Sequence, residues 1–129
     1  MNTYSIKNEE DKEKLINLIL NDIKNETSSI IVGDFQIGKT TILETISQNL
    51  NLPVIQASTI LKPNLIQILK IPKGDLILVD EATRFKPEKT SLQGKYKVAI
   101  VGTHYREDGE YYAKFLTQND NLRIYNLKY

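Results

Sequence analysis

A glycine-rich stretch between an apolar run and a helical pattern carries the residue types that hold phosphate groups. Its residues are Gly33, Asp34, Phe35, Gln36, Ile37, Gly38, Lys39, Thr40 and Thr41. They fit the spacing G-x-x-x-x-G-K-[ST] at every fixed position, and the apolar run Ile30–Val32 precedes them. This spacing predicts a loop that binds the phosphates of a nucleotide.

Each residue type in this loop has its own part in the predicted chemistry. Gly33 and Gly38 allow a tight turn that directs consecutive backbone N–H groups at the phosphates. The helix that follows adds the positive end of its dipole, and Lys39 places a charge on the outer phosphates. The Thr40 hydroxyl is a predicted ligand of the accompanying Mg²⁺. A glycine-rich turn that only joins a strand to a helix is the alternative explanation.

Two acidic residues follow a second apolar run. Residues 76–79 form an uninterrupted apolar run, typical of a strand buried on both faces, and Asp80 and Glu81 come next. Asp80 is placed to hold Mg²⁺ directly or through water. Glu81 is placed to accept a proton from an attacking water or from an acceptor hydroxyl. An exposed turn after a strand would also explain two acids here.

Polar and basic residues follow the ends of two predicted strands. Thr103 and His104 could sense a terminal phosphate or orient the water, or could only cap the next turn. Arg84 and Arg106 could reach a nucleotide bound to the same chain or to a neighbour, although a solvated surface arginine explains each equally well. The candidate catalytic residues are therefore Lys39, Glu81, Thr103, His104 and Arg106.

The composition excludes several other kinds of site. The chain has 129 residues and a net charge of +1, so no uniformly basic face for nucleic acid is implied. It has no cysteine, which excludes disulfides and thiolate metal sites and favours a reducing compartment. No apolar run is long enough to cross a bilayer, and the N-terminus lacks the features of a signal peptide. We therefore expect a soluble cytoplasmic protein with no membrane partner.

Helical and strand patterns alternate along the chain. We predict helices over residues 8–24, 39–50, 63–70 and 108–118, strands over 29–32, 53–57, 75–79, 97–102 and 122–127, and a loop over 82–95 with at most a short helix near Pro87. This alternation implies right-handed crossovers and an α/β fold, a three-layer α/β/α sandwich with a mostly parallel five-stranded sheet. A single domain over residues 1–129 is expected, with residues 1–28 as a helix and connector packed on its core.

Such a sheet also predicts where the candidate residues meet. Ligands of a doubly wound sheet bind beyond the carboxyl ends of its strands. The glycine-rich loop, Asp80–Glu81 and Thr103–His104 each follow a predicted strand. We therefore expect them to converge at one edge of the sheet.

The two motifs resemble those of P-loop NTPases, in the branch that contains the RecA-like and AAA-type ATPases. Gly33–Thr40 is similar to the Walker A motif, and Leu76–Glu81 is similar to the Walker B motif, in which a glutamate follows the aspartate. Thr103 or His104 falls where that branch has a polar sensor residue. The resemblance covers residues 29–127. It implies ATP and Mg²⁺ as ligands and the strand order 5-1-4-3-2, with the five predicted strands numbered along the chain.

The sequence departs from that branch in two places. No helical lid with a second sensor follows the fifth predicted strand, which implies an open site that needs a neighbouring subunit or another partner for efficient turnover. The chain after Glu81 is short and basic, with Arg84, Lys86 and Lys89. Nucleic-acid motors have strand-contacting loops in this place, although a solvated loop explains the charges equally well.

Three functions remain open from the sequence. The first is a minimal Mg²⁺-dependent ATPase that couples its nucleotide state to association with nucleic acid, with a partner protein or with further copies of the chain. The second is a small kinase, because Glu81–Phe85 and Gly102–Arg106 resemble segments of thymidine kinases. Those enzymes usually have a cysteine-bound zinc module, which this chain cannot form. The third is a nucleotide-dependent binding switch with negligible turnover.

Overall fold

A computed structural model describes residues 2–34, 38–61, 74–85, 87 and 92–128 of the chain. Within these residues the strands are β1 (Asn2–Ser5), β2 (Ser28–Val32), β3 (Val54–Gln56), β4 (Leu76–Ala82), β5 (Val98–Thr103) and β6 (Leu122–Lys128). The helices are α1 (Glu9–Lys24), α2 (Lys39–Leu50), α3 (Ala57–Leu61) and α4 (Arg106–Thr117). All paired strands are parallel, and the α/β class predicted from the sequence is confirmed.

The sheet has one strand more than the sequence predicts. Its order is β1-β6-β2-β5-β4-β3, so the prediction of five strands is wrong and the predicted order lacks the edge strand β1. The five predicted strands keep the relative order 5-1-4-3-2 within this sheet. β1 pairs with β6, with Asn2 opposite Tyr125 and Ser5 opposite Lys128.

Successive strand residues pack on opposite faces of the sheet and create two separate cores. One core contains Ile30, Ile77, Val79, Ala99 and Val101, and the other contains Ile31, Leu78 and Ile100. Residues of α3 and α4 complete the first core, and residues of α1 and α2 complete the second. Because helices cover both faces, the fold is the predicted three-layer α/β/α sandwich.

The first two helices follow their sequence signals. Asn8 caps α1 by accepting the N–H of Asp11 at 2.9 Å, and the acids of the first turn suit the positive end of the helix dipole. α2 covers the predicted residues and ends at Leu50, and the capping residue Asn51 has a left-handed backbone with a φ of 54°.

Other boundaries differ from the predictions. Residues 57–61 form α3 instead of ending a strand, because Ala57 and Ile60 are spaced to bury one helical face. β4 continues through Asp80 and Glu81 to Ala82, so the two acids lie within the end of the strand. α4 begins two residues before the predicted start. The helix predicted over 63–70 lies outside the described residues, as does part of the predicted loop over 82–95.

A buried polar cluster joins α1 to the sheet. The Asp22 carboxylate accepts the Tyr125 hydroxyl of β6 and, at 3.3 Å, the Ser29 hydroxyl of β2. The Arg123 guanidinium lies 3.2 Å from the other carboxylate oxygen. The charge of Asp22 is thus compensated inside the fold, which allows an acid to be buried there.

The order of the central strands fixes where the candidate residues meet. β5 lies between β2 and β4, and the three strands run in the same direction. Their carboxyl ends therefore share one edge of the sheet, as expected for a ligand site in this architecture. Within the described ranges, no helix combines the length and the apolar character needed to cross a bilayer.

Candidate functional site

A bulge at the end of β4 carries the two acids of the site. The pairing of β4 with β5 is regular up to Val79 opposite Val101 and shifts before Ala82 meets Thr103. Within the bulge, Glu81 has a φ of 58°, a left-handed conformation that is uncommon for residues other than glycine. Its N–H donates to Asp80 Oδ1 at 2.8 Å. The bulge therefore exposes Glu81 while its neighbour stays buried.

The other oxygen of Asp80 faces the first turn of α2. The Thr40 hydroxyl donates to Asp80 Oδ2 at 2.9 Å. Asp80 is only 1% exposed, so bonds to β4 and α2 hold its carboxylate away from solvent. The two residues that the sequence assigns to Mg²⁺ are in contact.

Lys39 is buried at the start of α2. It is 6% exposed, and its Nζ donates across the loop to the Gly33 carbonyl at 3.1 Å. Burial lowers the pKa of Lys39, and the carboxylates of Asp80, Glu81 and Asp34 oppose this shift. An ammonium group carries three donors, so Lys39 can bind a phosphate oxygen while it holds the loop.

Gly38 forms the junction between the glycine-rich loop and α2. Its φ of 91° is a left-handed conformation that glycine adopts readily. The first turn of α2 contains no acidic side chain that would compete for its N–H groups. This helix terminus therefore suits an anion.

Gly33 differs from the expectation. Its N–H donates to the Thr103 carbonyl at 3.1 Å, which ties the loop to β5 instead of presenting a donor to a phosphate. Phe35, Gln36 and Ile37, which the sequence also assigns to the loop, lie outside the described residues. Within the described part of the loop, Lys39 and the start of α2 are therefore the groups that could bind a phosphate.

Gly102 contributes to the site although the sequence analysis gave it no role there. A Cβ at this position would lie 2.6 Å from Asp80 Oδ1 and 2.8 Å from Leu43 Cδ1. Only glycine leaves room for Asp80 between β5 and α2. The available signal is a glycine inside an apolar strand, which often marks the close approach of another group.

A pocket of about 240 Å³ opens between the start of α2 and the ends of β4 and β5. Its described lining consists of Asp34, Gly38, Lys39, Thr40, Thr41, Glu81 and His104. Each of these belongs to the set that the sequence assigns to nucleotide, metal or catalysis. The volume is below the roughly 300 to 1,000 Å³ of pockets that enclose a whole drug-sized ligand, and it suits a phosphate chain with a metal ion.

Thr103 is fully buried and is not in the described lining of this pocket. Its hydroxyl lies 3.2 Å from the Ala82 carbonyl and 2.9 Å from the Tyr105 carbonyl, and it accepts the Tyr105 N–H at 3.3 Å. The hydroxyl thus joins the end of β4 to the turn before α4. The structure places His104, and not Thr103, at the pocket.

Arg106 is also outside the described lining of the pocket. Its Nε lies 3.4 Å from Glu110 Oε1, one turn further along α4. Arg84 lines a neighbouring groove and lies over the Phe85 ring, 5.4 Å from its centre. The geometry therefore gives neither arginine a phosphate contact within its own chain.

The oxygen donors of Thr40 and Asp80 fit Mg²⁺ bound together with a nucleotide; Thr40 belongs to the described lining of the pocket, whereas the buried Asp80 contacts Thr40 from outside that lining. In the part of the chain that the structure describes, no three His, Cys, Asp or Glu side chains gather to hold a metal ion by themselves. Thr40 and Asp80 supply two oxygen donors at one point. Mg²⁺ commonly takes one or two protein ligands and completes its octahedron with phosphate oxygens and water. The pair therefore matches Mg²⁺ carried by a triphosphate.

A larger hollow, the aromatic groove, adjoins the pocket. It opens to solvent, has a volume of about 880 Å³ and shares Asp34 and His104 with the pocket. Phe85 and Tyr105 lie along it and are 60% and 69% exposed. The sequence signal for the groove is an aromatic residue shortly after each of two strand ends, to which the sequence analysis assigned no role.

Comparisons of the chain with models of protein families, with curated proteins and with solved structures find no match. The fold and the site geometry are therefore the basis for assigning a function.

Proposed function

We propose that this protein is a Mg²⁺-dependent ATPase of the P-loop type that couples its nucleotide state to association with a partner. The supporting observation is the 2.9 Å contact of the Thr40 hydroxyl with Asp80 Oδ2, beside the buried Lys39. Burial of an ammonium and a carboxylate costs free energy, which the binding of opposite charges would offset. A phosphate chain and its metal ion use both charges.

Different residues of the chain have different roles in the proposed reaction. The N–H groups at the start of α2 and the Lys39 ammonium hold phosphate oxygens. Glu81, exposed on the bulge, orients the attacking water and accepts its proton. His104, between the pocket and the aromatic groove, contacts the water or the terminal phosphate. When bound, Mg²⁺ supplies charge neutralisation at the phosphates.

The electrostatics of the pocket support the coupling to a partner. Lys39 is the one lysine or arginine in the described lining, whereas Arg106 is paired with Glu110 on α4. A further positive charge at the terminal phosphate typically gives a large gain in phosphoryl-transfer rate. A partner protein or a second copy of the chain that supplies this charge would raise turnover.

Phosphate release from ATP by the purified protein, with and without Mg²⁺, tests the proposal. Lys39→Ala should abolish nucleotide binding, because it removes the buried ammonium, whereas Lys14→Ala on the exposed side of α1 should not. Single-stranded DNA, double-stranded DNA and RNA added separately would show whether nucleic acid stimulates release. Unchanged nucleotide binding by Lys39→Ala would contradict the proposal.

A small kinase is the second candidate, because the aromatic groove adjoins the pocket and has the size of a small-molecule site. In this case Glu81 would accept the proton of an acceptor hydroxyl. Transfer of phosphate from ATP to a panel of nucleosides would identify the kinase. Tight ATP binding without release or transfer would identify a binding switch.

A further inference from the structure

The aromatic groove has a surface that the proposed nucleotide site does not use. Phe85 and Tyr105 expose most of their area along the groove, and neither is in the described lining of the phosphate pocket. Large aromatic residues exposed along one groove are typical of a contact surface.

Hydrogen bonds to neighbouring side chains hold the backbone at both aromatic residues. The Phe85 carbonyl accepts the Tyr112 hydroxyl at 2.9 Å, and the Phe85 N–H donates to the Thr83 hydroxyl at 3.3 Å. The Tyr105 N–H donates to the buried Thr103 hydroxyl at 3.3 Å. A backbone held in this way loses little conformational entropy when a partner binds, so the backbone that carries the two rings is preorganised.

The charges along the groove select the sign of its ligand. Asp34, Glu107 and Asp108 belong to its described lining, against one arginine, Arg84. This excess of carboxylates disfavours the phosphates of nucleic acid and favours a cation. The Arg84 guanidinium over the Phe85 ring shows that the ring accepts such a group.

We propose that the aromatic groove binds a segment of a partner protein in which arginine or lysine alternates with apolar residues. A basic side chain stacks on Phe85 or Tyr105 and pairs with Glu107 or Asp108, while its apolar neighbours cover the exposed rings. The groove is open to solvent, which suits a polypeptide passing along it. A small cation would instead require a site that encloses most of its surface.

The two sites are coupled through the wall that they share. Asp34 and His104 line both the pocket and the groove. A bound triphosphate adds negative charge beside this wall, so the basic segment binds more tightly when ATP is present. By linkage, the segment raises the affinity for ATP by the same factor. This nucleotide dependence rests on the proposed function, whereas binding to the groove does not.

The test uses the full chain and a short fluorescent peptide in which arginine alternates with leucine, with binding followed by anisotropy. Phe85→Leu and Tyr105→Ala should each raise the Kd about tenfold, because a stacking ring is lost. Glu107→Gln should raise it about threefold and weaken its dependence on salt. ATP with Mg²⁺ should lower the Kd of the parent protein about tenfold.

Matched controls change similar residues elsewhere. Tyr111→Ala removes an exposed aromatic on α4, and Glu13→Gln removes an exposed acid on α1; both lie outside the described lining of the groove and should leave the Kd unchanged. Thermal unfolding of each variant shows that it is folded. Phe85→Leu keeps an apolar side chain, so weaker peptide binding by this variant would show that the aromatic ring itself contributes to the affinity.

Several results would overturn the proposal. A peptide with glutamate in place of arginine should not bind. Binding of this peptide with the same Kd as the arginine peptide would show that the groove does not select basic side chains. Binding of oligothymidylate by a protein that does not bind the basic peptide would assign the groove to nucleic acid. Displacement of the peptide by low concentrations of spermidine would assign it to a small cation. A peptide Kd that is the same with and without ATP would contradict the coupling between the two sites. Peptide binding by a protein that does not bind ATP would contradict the proposed function and leave the groove assignment intact.

Discussion

The Thr40 hydroxyl and the Asp80 carboxylate are joined by a hydrogen bond of 2.9 Å, although they lie 40 positions apart in the chain. The bond connects the helix after the glycine-rich loop to the end of β4. Gly102 makes room for it, because any side chain there would meet Asp80. The fold thus holds these two oxygen atoms at one point, as the proposed Mg²⁺ site requires.

Substitution of Thr40 tests this pair. Thr40→Val removes the hydroxyl at nearly constant volume and should raise the Mg²⁺ concentration for half-maximal ATP turnover by about tenfold or more. Thr40→Ser keeps the hydroxyl and should stay close to the parent protein. Phosphate release measured over a Mg²⁺ titration compares them. Identical curves for the two variants would show that the hydroxyl does not bind the metal.

Glu81 combines a proposed catalytic role with a strained backbone, and the two can be separated. Glu81→Gln should keep nucleotide binding and lower kcat by about a hundredfold or more, because the proton acceptor is lost. Glu81→Gly should also lose turnover. It should raise the free energy of unfolding by about 0.5 to 1 kcal/mol, because glycine adopts the left-handed conformation without steric strain. Steady-state kinetics and chemical denaturation measure the two effects.

Glu26 is a matched control for this experiment, since its φ of 53° is close to that of Glu81. Glu26→Gly should give a similar gain in stability with no change in turnover, because Glu26 lies outside the described lining of the pocket. Hydrolysis at the parent rate by Glu81→Gln would exclude Glu81 from proton transfer.

Thr103 and His104 are adjacent but should respond differently. Thr103→Val leaves the Tyr105 N–H without its acceptor and should lower the free energy of unfolding by about 1 to 2 kcal/mol, with little change in the affinity for ATP. His104→Asn should lower turnover with a smaller effect on stability. ATP titrations and urea denaturation of both variants test this difference. Loss of ATP affinity in a fully stable Thr103→Val protein would assign Thr103 to the phosphates.

Tyr125 predicts a pH dependence of stability. Burial, together with the adjacent Asp22 carboxylate, raises the pKa of Tyr125 above its ordinary value of 10.0. The folded state therefore holds this proton more tightly than the unfolded chain. Its contribution to stability is complete below about pH 10 and is lost as the pH rises above that value. Burial also raises the pKa of Tyr96 and Tyr112, which act in the same direction.

Urea denaturation between about pH 8 and pH 11 measures this effect. Tyr125→Phe should cost about 1 kcal/mol at neutral pH and should flatten part of the alkaline fall. Tyr4→Phe is the control, because its ring packs 5.3 Å from the Tyr125 ring while its hydroxyl is not part of the Asp22 cluster. An unchanged alkaline slope in Tyr125→Phe would contradict the assignment of this effect to Tyr125.

The elements that could be predicted from the sequence are those whose own residues determine them. The apolar run before Asp80 is typical of a strand covered on both faces, and the amphipathic spacing of α1 and α2 places one side of each helix on the sheet. β1 has no such pattern, since it consists of Asn-Thr-Tyr-Ser at a sheet edge and its partner β6 is distant in the chain. α3 was missed because its Ser58 and Thr59 are typical of a turn when tertiary packing is not considered.

At the site, the sequence placed residues at the correct edge but could not orient every side chain. Lys39, Thr40, Glu81 and His104 line one pocket because each lies at the carboxyl end of a central strand or the start of α2. Thr103 lies at the same edge, yet its side chain is buried. A shift of one residue along a strand reverses the direction of a side chain, and a bulge such as that at Glu81 changes the count locally.

The position of β2 has a consequence for how the chain acquires its folded form. Its two neighbours, β5 and β6, come from residues 98–103 and 122–128, so the strand that leads into the glycine-rich loop has no hydrogen-bonded neighbour until those residues are available. Pairing between such distant segments is slow, because a long loop must close first. During synthesis on the ribosome, α1, β2 and α2 are therefore made before the strands that pair with β2. The proposed nucleotide site should therefore form only after residues 98–128 have been synthesised and have paired with β2.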